Sequence, residues 1–434
     1  MTAAVPTPSP FVASTRRFAP RLRSLVSTAA MSPSSSAAAP VPSAGAGEEG
    51  APPLPHSTLE VAGARKGLLS GFASLRAPYR PFPVLASNRH VETIFAAFAR
   101  SLPDVRLRRE CLRAPDDGAI TLDWVSGDDR ALPRDAPVLI LLPGLTGGSD
   151  DTYVRHMLLR ARNKGWRVVV FNSRGCADSP VTTPKFYSAS FTGDLRQVIE
   201  HVRGRYPQAN VYAAGWSLGA NILVRYLGEE TDKCPLSGAV SLCNPFNLVI
   251  ADEDFHKGFN NIYDKALARA LRTIFKKHAL LFEELEGEYD IPKAANARTV
   301  RDFDEGLTRV SFGFKSVDDY YSNSSSSDSI KNADNDPIAP SRGIPREDIK
   351  ANPNCLLIVT PQGGHLGWVA GDEAPFGCPW TDPIVMEYLE YLQNDKNSST
   401  KNNISYEQQN VPQTSASHVT VHLIDLQHYS TMTK

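Results

Sequence analysis

The strongest constraint on the fold is the stretch YAAGWSLGAN at residues 212–221, which contains the pattern Gly-x-Ser-x-Gly. A β-prone run precedes Ser217, and a helical pattern follows it. A serine on such a tight strand-to-helix turn stands out at the edge of a sheet, where its hydroxyl reaches a carbonyl group. Gly215 and Gly219 suit this turn because larger side chains would clash with the neighbouring strand and helix. The stretch therefore predicts a nucleophilic serine on a scaffold of strands and helices.

The middle of the chain alternates apolar runs with helical patterns, which is typical of a mostly parallel sheet flanked by helices. Residues 79–393 are therefore expected to form one α/β domain. We predict strands at 138–142, 166–171, 211–214, 239–243 and 355–359, and helices at 151–164, 191–205, 220–227 and 383–392.

Between residues 245 and 329 the alternation stops, and large apolar residues recur at helical spacing. This pattern predicts a helical insertion above the sheet, which we call the cap. The cap is expected either to wall a pocket for an acyl chain or simply to pack onto the domain, and packing is the simpler role for each single residue.

The two ends of the chain differ in composition from the middle. Residues 1–55 are rich in Ala, Ser and Pro, carry four arginines and have no acidic residue before Glu48. This composition is typical of a chloroplast transit peptide. The alternative is a disordered tail that carries no targeting signal, on a cytoplasmic protein. Residues 394–434 are polar and are expected to be mostly disordered, with one alternating run at 418–426 that suits an edge strand.

Charge and cysteine content exclude several classes of protein. The formal net charge is −1 over 434 residues, so the chain lacks the basic excess typical of proteins that bind nucleic acid or anionic membranes. No two of the six cysteines have the spacing of metal ligands, which favours free thiols in a reducing compartment. No apolar run reaches the length of a membrane span. We therefore expect no metal, no other cofactor and no transmembrane segment.

A serine hydroxyl is a poor nucleophile until a base accepts its proton, and an acid must hold that base in one tautomer. The best base is His365, which follows the last predicted strand in the glycine-rich sequence PQGGHLGW. The best acid is Asp336, since Pro337 fixes the backbone just after it, and Asp334 is the near competitor. The order Ser217, Asp336, His365 is that of the catalytic triad in α/β hydrolases.

Other histidines fit this role less well. His156, His201 and His278 lie in helical patterns, where a surface or packing role is expected. His90 precedes the predicted core, where no catalytic partner is expected. An acid after His365 would break the order of the triad along the chain.

The oxyanion that forms when a carbonyl is attacked needs amide donors already in place. One donor is expected to be the backbone N–H of Leu218, just after the nucleophile. The other is expected to be that of Leu145, in the sequence PGLTGG at 143–148, which we call the PGLTGG loop. A phosphate cradle is the alternative, but this loop lacks the Gly-Lys-Ser/Thr end of a P-loop and the spacing of a dinucleotide fingerprint.

Several motifs resemble, in order, those of the YheT-like α/β hydrolases: NRHVETIF at 88–95, PGLTGG at 143–148, NSRGC at 172–176, GWSLGAN at 215–221 and GGH at 363–365. That family includes bacterial YheT, animal membrane-anchored hydrolases that act on glycerolipids, yeast ethyl-ester-forming enzymes and plant embryogenesis-associated hydrolase-like proteins. The match is closest to the plant group.

The resemblance covers residues 79–392 and implies the α/β-hydrolase fold with a carboxylester hydrolase, lipase or acyltransferase activity. It also implies that Ser217, Asp336 and His365 form the triad. Animal members carry an N-terminal membrane anchor, whereas the transit-like segment of this chain favours a soluble plastid protein.

The approach to Asp336 departs from the pattern of the family. In this fold a buried strand ends just before the triad acid, yet Ile330 is the single large aliphatic residue in 324–335. We hypothesise that about a dozen residues are missing, through alternative splicing or a gene-model error. Loss of an interior strand would leave a gap in the sheet and displace Asp336.

Three functions remain open from the sequence. The leading one is a serine carboxylester hydrolase that works through an acyl-enzyme on small acyl esters, with lipids as the expected substrates. The second is an alcohol O-acyltransferase, in which an alcohol replaces water as the acceptor of the acyl group. The third is a catalytically impaired or binding protein with a hydrolase fold. Acyl length and oligomeric state are not indicated.

Overall fold

The structure is a computed structural model of the chain. It describes residues 59–63, 66–86, 88–283, 285, 287, 289–327, 329, 344–361, 363–407 and 423–428, with the backbone alone in 397–407 and 423–428. The predicted transit-like segment 1–55 lies outside the described residues.

One mixed sheet runs through the described part of the chain, in the order β1-β8-β9-β7-β6-β4-β5-β3-β2. The strands from β4 to β9 are parallel to one another, whereas β1, β2 and β3 pair antiparallel with their neighbours. The strands are β1 (Glu60–Ala62), β2 (Leu107–Arg113), β3 (Ala119–Val125), β4 (Val138–Leu142), β5 (Arg167–Asn172), β6 (Val211–Trp216), β7 (Gly238–Leu242), β8 (Cys355–Thr360) and β9 (Leu423–His428).

Helices cover both faces of the sheet and also build the cap. The first five are α1 (Arg89–Phe98), α2 (Asp128–Ala131), α3 (Thr152–Asn163), α4 (Gly193–Arg205) and α5 (Leu218–Glu230). The next six lie in the cap and are α6 (Leu248–Phe255), α7 (Asn260–His278), α8 (Ile291–Asn296), α9 (Val300–Phe303), α10 (Arg309–Ser311) and α11 (Val317–Ser324). The last two are α12 (Arg346–Ala351) and α13 (Thr381–Glu407).

The central strand β4 shows why the sheet is buried on both faces. All five of its residues are buried, as expected for a parallel strand with helices on either side. Leu139 and Leu141 pack in one cluster with residues of α3 and α13. Val138 and Ile140 pack in a second cluster with residues of α4 and α5. The continuous apolar run that predicted this strand therefore contributes side chains to the hydrophobic clusters on both faces of the sheet.

The cap, which comprises α6 to α11 within residues 245–329, contains a hydrophobic core. Phe275 of α7 is fully buried and packs with Phe282 and Phe303. Val181 and Phe186, from the segment between β5 and α4, belong to the same cluster. The apolar residues at helical spacing thus join the cap to the domain beneath it.

Two strands lie where the sequence predicted no part of the domain. Strand β1 precedes residue 79 and pairs antiparallel with β8. Strand β9 comes from the segment 394–434, where at most an edge strand at 418–426 was expected. That expectation is wrong, because β9 lies in the interior of the sheet between β7 and β8, parallel to both. Helix α13 also continues to Glu407, past its predicted end at residue 392.

The position of β9 has a simple physical reason. The strand expected before Asp336 falls between β7 and β8 in the sequence, and β9 occupies that place in the sheet. Interior strands need hydrogen-bonding partners on both sides, since an unpaired buried backbone group is costly. The β-prone run LIDLQH provides these partners for β7 and β8.

Removing residues 421–434 is expected to destabilise the protein, because β9 pairs with four residues of β7 and six of β8. Each lost backbone hydrogen bond costs about 0.5–1.5 kcal/mol net, so the free energy of unfolding should fall by several kcal/mol. Thermal unfolding followed by circular dichroism measures this loss. Removing residues 430–434, which follow β9, is the matched control. Equal unfolding midpoints for the two truncations would contradict the interior position of β9.

Candidate active site

Ser217 lies alone between the end of β6 at Trp216 and the start of α5 at Leu218. Its backbone has φ 52° and ψ −119°, a conformation that residues with a side chain rarely adopt. Such strain costs on the order of 1–3 kcal/mol and persists where the surroundings impose it. The Ser217 amide donates to the carbonyl of Leu242 in β7 at 2.8 Å, which fixes the turn against the neighbouring strand.

Three glycines allow the chain to pack closely around this turn. A Cβ atom on Gly219 would lie 2.3 Å from the carbonyl oxygen of Leu142, and one on Gly215 would lie 2.7 Å from that of Gly219. A Cβ atom on Gly144 would lie 3.2 Å from the Cβ of Ser217. The PGLTGG loop therefore lies directly against the serine.

Nearly all the backbone amides of the PGLTGG loop and of Ser149 after it have hydrogen-bond partners. The Gly144 amide donates to the Tyr153 hydroxyl at 3.1 Å, and the Thr146 amide donates to the Tyr187 hydroxyl at 3.0 Å. The amides of residues 147, 148 and 149 donate to a backbone carbonyl, a carboxylate and a side-chain amide, respectively. Within this described loop, the amide of Leu145 alone has no partner.

The first turn of α5 offers free amides of the same kind. Helical N–H groups in a first turn have no partner inside the helix. In the described structure the Leu218 amide has no hydrogen-bond partner outside the helix either. The amide dipoles of α5 also favour negative charge at this end. The amides of Leu145, in the loop that packs against Ser217, and of Leu218, the next residue in the chain, thus both remain free.

Two tyrosines, Tyr153 and Tyr187, and one carboxylate hold the PGLTGG loop. Tyr153 accepts from the Gly144 amide and donates to Asp151 Oδ2 at 3.2 Å, and the same oxygen accepts from the Gly148 amide at 3.0 Å. Burial raises the pKa of Tyr153 well above its usual value, so its hydroxyl stays protonated and can donate. Neither tyrosine could be predicted from the sequence, because a single tyrosine carries no motif.

The NSRGC sequence begins at Asn172, the last residue of β5, and stabilises the same edge of the sheet. Asn172 accepts from the Ser149 amide at 2.9 Å and donates to Asp123 at 2.8 Å. Arg174 is buried and pairs with Asp194 of α4 at 2.7 Å. Removing one partner of such a buried ion pair is strongly destabilising, so this motif supports the segment that follows the strand.

His365 lies at the same edge of the sheet as Ser217. Strands β6 and β8 are parallel, so their carboxyl ends point the same way, and His365 follows β8 by five residues. Burial lowers the pKa of His365 to about 4, which leaves the imidazole neutral at neutral pH and able to accept a proton. Among the described residues, no hydrogen bond joins the Ser217 hydroxyl to the His365 ring.

The predicted acid cannot be placed beside these two residues. Asp336 and its competitor Asp334 lie in 330–343, outside the described residues. The structure therefore brings together Ser217, Leu145 and Leu218, and it puts His365 at the same edge of the sheet.

Apolar side chains of the cap flank the two free amides. Leu145 packs against the cap cluster that contains Phe275 and Leu307. Leu218 packs against a second cluster, which contains Val317 and Tyr320. The two residues with free amides therefore have side chains that pack into apolar clusters of the cap.

The described structure offers neither a metal site nor a membrane-spanning helix. Within the described ranges, no group of three or more His, Cys, Asp or Glu side chains is arranged to hold a metal ion. No helix in the described part of the chain is both long and apolar enough to span a membrane.

Comparison with known proteins identifies the fold family. The profile of the alpha/beta hydrolase fold matches residues 137–372, more than half of the chain. The chain belongs to the α/β-hydrolase family. Its sheet, with Ser217 on the turn after β6, agrees with that assignment.

Curated relatives within the family cover most of the chain. The embryogenesis-associated protein EMB8 of Picea glauca is 69% identical over 354 residues, which are 78% of this chain and 77% of that protein. The phospholipase ABHD3 of Mus musculus is 35% identical over 314 residues, 69% of this chain and 75% of that protein. A monoacylglycerol lipase of Saccharomyces cerevisiae is 37% identical over 261 residues, 56% of this chain and 58% of that protein.

The titration of His365 tests the structure directly. We expect its imidazole to titrate near pH 4, because burial disfavours the charged form. The unfolded chain has a His pKa of about 6.5 and so binds the proton first, which means that stability falls as the pH drops from 6.5 toward 4. Histidine NMR signals, assigned with His365→Asn, measure the value. A midpoint at or above 6.5 would show that burial does not control the protonation of the ring.

Proposed function

We propose that this chain is a serine carboxylester hydrolase that acts on acyl esters, chiefly those of lipids, through an acyl-enzyme. One observation carries the proposal. Ser217 stands on a strained turn after β6, and the amides of Leu145 and Leu218 beside it have no partner within the described structure. An electrophilic carbonyl held there would meet the nucleophile and two donors together.

The proposed reaction begins with transfer of the Ser217 proton to the neutral imidazole of His365. The hydroxyl oxygen attacks the ester carbonyl carbon, and the amides of Leu145 and Leu218 stabilise the oxyanion, each contributing on the order of 2.7–4 kcal/mol. The oxyanion collapses, the alcohol leaves with the proton from the imidazolium, and the acyl group stays on Ser217. Water then repeats the two steps and releases the acid. We assign to Asp336 the role of holding His365 in the required tautomer.

Lipid esters are favoured as substrates by two observations. The apolar clusters of the cap flank Leu145 and Leu218, so an acyl chain would replace water at hydrophobic surface. In addition, two relatives bear the names phospholipase and monoacylglycerol lipase. Within the family we propose the YheT-like group, on the strength of the five motifs that match in order.

A second candidate is a form of this protein with impaired catalysis. Strand β9 occupies the place in the sheet where the strand leading to Asp336 was expected. A triad acid that no longer follows its own strand would lose its fixed position next to His365. The sequence pattern around Ser217 would then persist in a protein that binds esters but turns them over slowly. Alcohol acyl transfer is the other chemical alternative, and it uses the same acyl-enzyme.

A fluorophosphonate probe and a series of p-nitrophenyl esters test the proposal. We expect the probe to label the wild-type protein and not Ser217→Ala, because the label forms a bond to the serine oxygen. Activity should rise with acyl length until the pocket is full. A folded wild-type protein that neither takes up label nor releases p-nitrophenol would contradict the proposed function. Adding an alcohol and measuring new ester separates hydrolysis from acyl transfer.

Asp336 and its neighbour Asp334 form a matched pair for testing which carboxylate is the acid of the triad. We expect Asp336→Asn to lower kcat by up to about 10⁴-fold, since an amide favours the wrong tautomer of the histidine. Asp334→Asn should leave kcat nearly unchanged. If the wild-type protein is active and neither substitution lowers kcat, Asp336 is not the acid in this form of the protein.

We also propose import into the chloroplast through residues 1–55. These residues, fused to a fluorescent protein in leaf cells, should direct it to chloroplasts. Replacing Arg16, Arg17, Arg21 and Arg23 by alanine should abolish import, whereas replacing them by lysine keeps the positive charge and should preserve it. Cytosolic fluorescence of the unaltered fusion would contradict this proposal and favour a disordered tail that carries no targeting signal.

A further inference from the structure

A buried carboxylate on α1 binds the loop that carries His365. We call residues 363–369 the histidine loop. Glu92 is fully buried, and its Oε2 accepts from the Gly364 amide at 2.7 Å while its Oε1 accepts from the Val369 amide at 2.6 Å. The two oxygens of one side chain therefore fix both ends of the turn that contains His365.

The next residue of α1 binds the histidine itself. The Thr93 hydroxyl accepts from the His365 amide at 2.8 Å and donates to the Arg89 carbonyl at 2.7 Å. Because the hydroxyl is held from both sides, it fixes the backbone of His365 relative to the helix. Neighbouring side chains of α1 thus bind three amides of the histidine loop.

Arg100, just after α1, binds the carbonyl groups of the same loop. Its side chain is buried and donates to the carbonyl of Leu366 at 3.2 Å and to that of Gly367. Burial lowers the pKa of Arg100, while the nearby carboxylates of Asp382 and Glu92 raise it. In the histidine loop, amide groups therefore donate to the carboxylate of Glu92, and carbonyl groups accept from the guanidinium of Arg100.

The histidine loop packs tightly against helix α1. A Cβ atom on Gly364 would lie 2.4 Å from the Arg89 carbonyl oxygen, and one on Gly367 would lie 2.7 Å from Cγ of Glu92. Leu366 and Trp368 both have positive φ, 56° and 43°. Residues with side chains hold such conformations only where their surroundings impose them. The contacts from α1 supply that constraint.

A carboxylate is the side chain that matches this arrangement. It offers two acceptor oxygens and no donor, and the loop presents two N–H groups. Burial raises the pKa of Glu92, whereas the hydrogen bonds from Val369 and Gly364 and the charge of Arg100 lower it. A glutamine of the same shape would turn an NH₂ group toward one of the two amides and leave that amide without an acceptor.

We propose that Glu92 and Thr93 are positioning residues that hold His365 in place for proton transfer at Ser217. Loops are the more mobile parts of a protein, yet a catalytic base must be held within about 0.5 Å of its working position. Helix α1 provides this rigidity from a point 272 residues earlier in the chain. The inference rests on the proposed function for the role of His365, and the contacts themselves stand on the structure.

The substitution Glu92→Gln tests the role of the carboxylate. We expect kcat for p-nitrophenyl esters to fall about 10- to 100-fold with KM within twofold of the wild-type value, because a displaced base slows the chemistry and leaves the acyl pocket intact. Labelling by the fluorophosphonate should slow by a similar factor. A folded Glu92→Gln variant with wild-type kcat would overturn the proposal.

Thr93 provides a matched pair that remains informative if Glu92→Gln fails to fold. Thr93→Val keeps the shape and removes the acceptor for the His365 amide, whereas Thr93→Ser retains the hydroxyl. We expect Thr93→Val to lower kcat and Thr93→Ser to restore it. Equal kcat values for the two variants would overturn the proposal for Thr93, whatever their stability.

The NMR titration of His365 separates this proposal from the proposed function. In Glu92→Gln and Thr93→Val, a loosened loop should admit water to the ring and shift its midpoint from near 4 toward 6.5, whereas Thr93→Ser should not. If the wild-type protein hydrolyses no ester, the proposed function fails, and a shifted midpoint still supports the positioning of His365. An unchanged midpoint in both variants overturns the positioning, even in an active enzyme.

Discussion

The parallel pairing of β4, β6, β7, β9 and β8 is the constraint on which the candidate site depends. Parallel strands end at one edge, so the PGLTGG loop after β4, Ser217 after β6 and His365 after β8 all emerge on the same side. Close contacts then set their relative positions. The glycines at 215 and 219 let the serine turn approach the neighbouring backbone to distances that no side chain would permit, and Gly144 lies close against Ser217.

Much of this arrangement could be predicted from the sequence, because the buried parallel strands carry continuous apolar runs and the serine turn carries its glycines. The strands at β4 to β8 and the helices α4 and α5 lie where the patterns put them. The outer strands β2 and β3 were not predicted. Strand β2 has the sequence LRRECLR and is half exposed. Its charged residues interrupt the apolar pattern by which a strand is predicted. Strand β9 was expected at an edge because nothing in its own sequence marks the interior place that it takes between β7 and β8.

The residues that hold the site were harder to predict than those proposed to react. Ser217 and His365 stand in recognisable glycine-rich contexts, whereas Tyr153, Tyr187 and Glu92 act through hydrogen bonds from backbone amides. Such contacts join segments that are far apart in sequence, and nothing local marks them. The motif NRHVETIF stands out in the sequence only by its resemblance to a family motif. In the structure, its residues Glu92 and Thr93 bind amides of the histidine loop.

The place of β9 also bears on how the chain reaches its native state. Strands β8 and β1 join the rest of the sheet through β9, which comes later in the chain than any other strand of the described sheet. The two parts of the sheet therefore cannot join until β9 has been synthesised. Until then β7 presents a bare parallel edge in the nascent protein, the kind of surface that invites aggregation and chaperone binding.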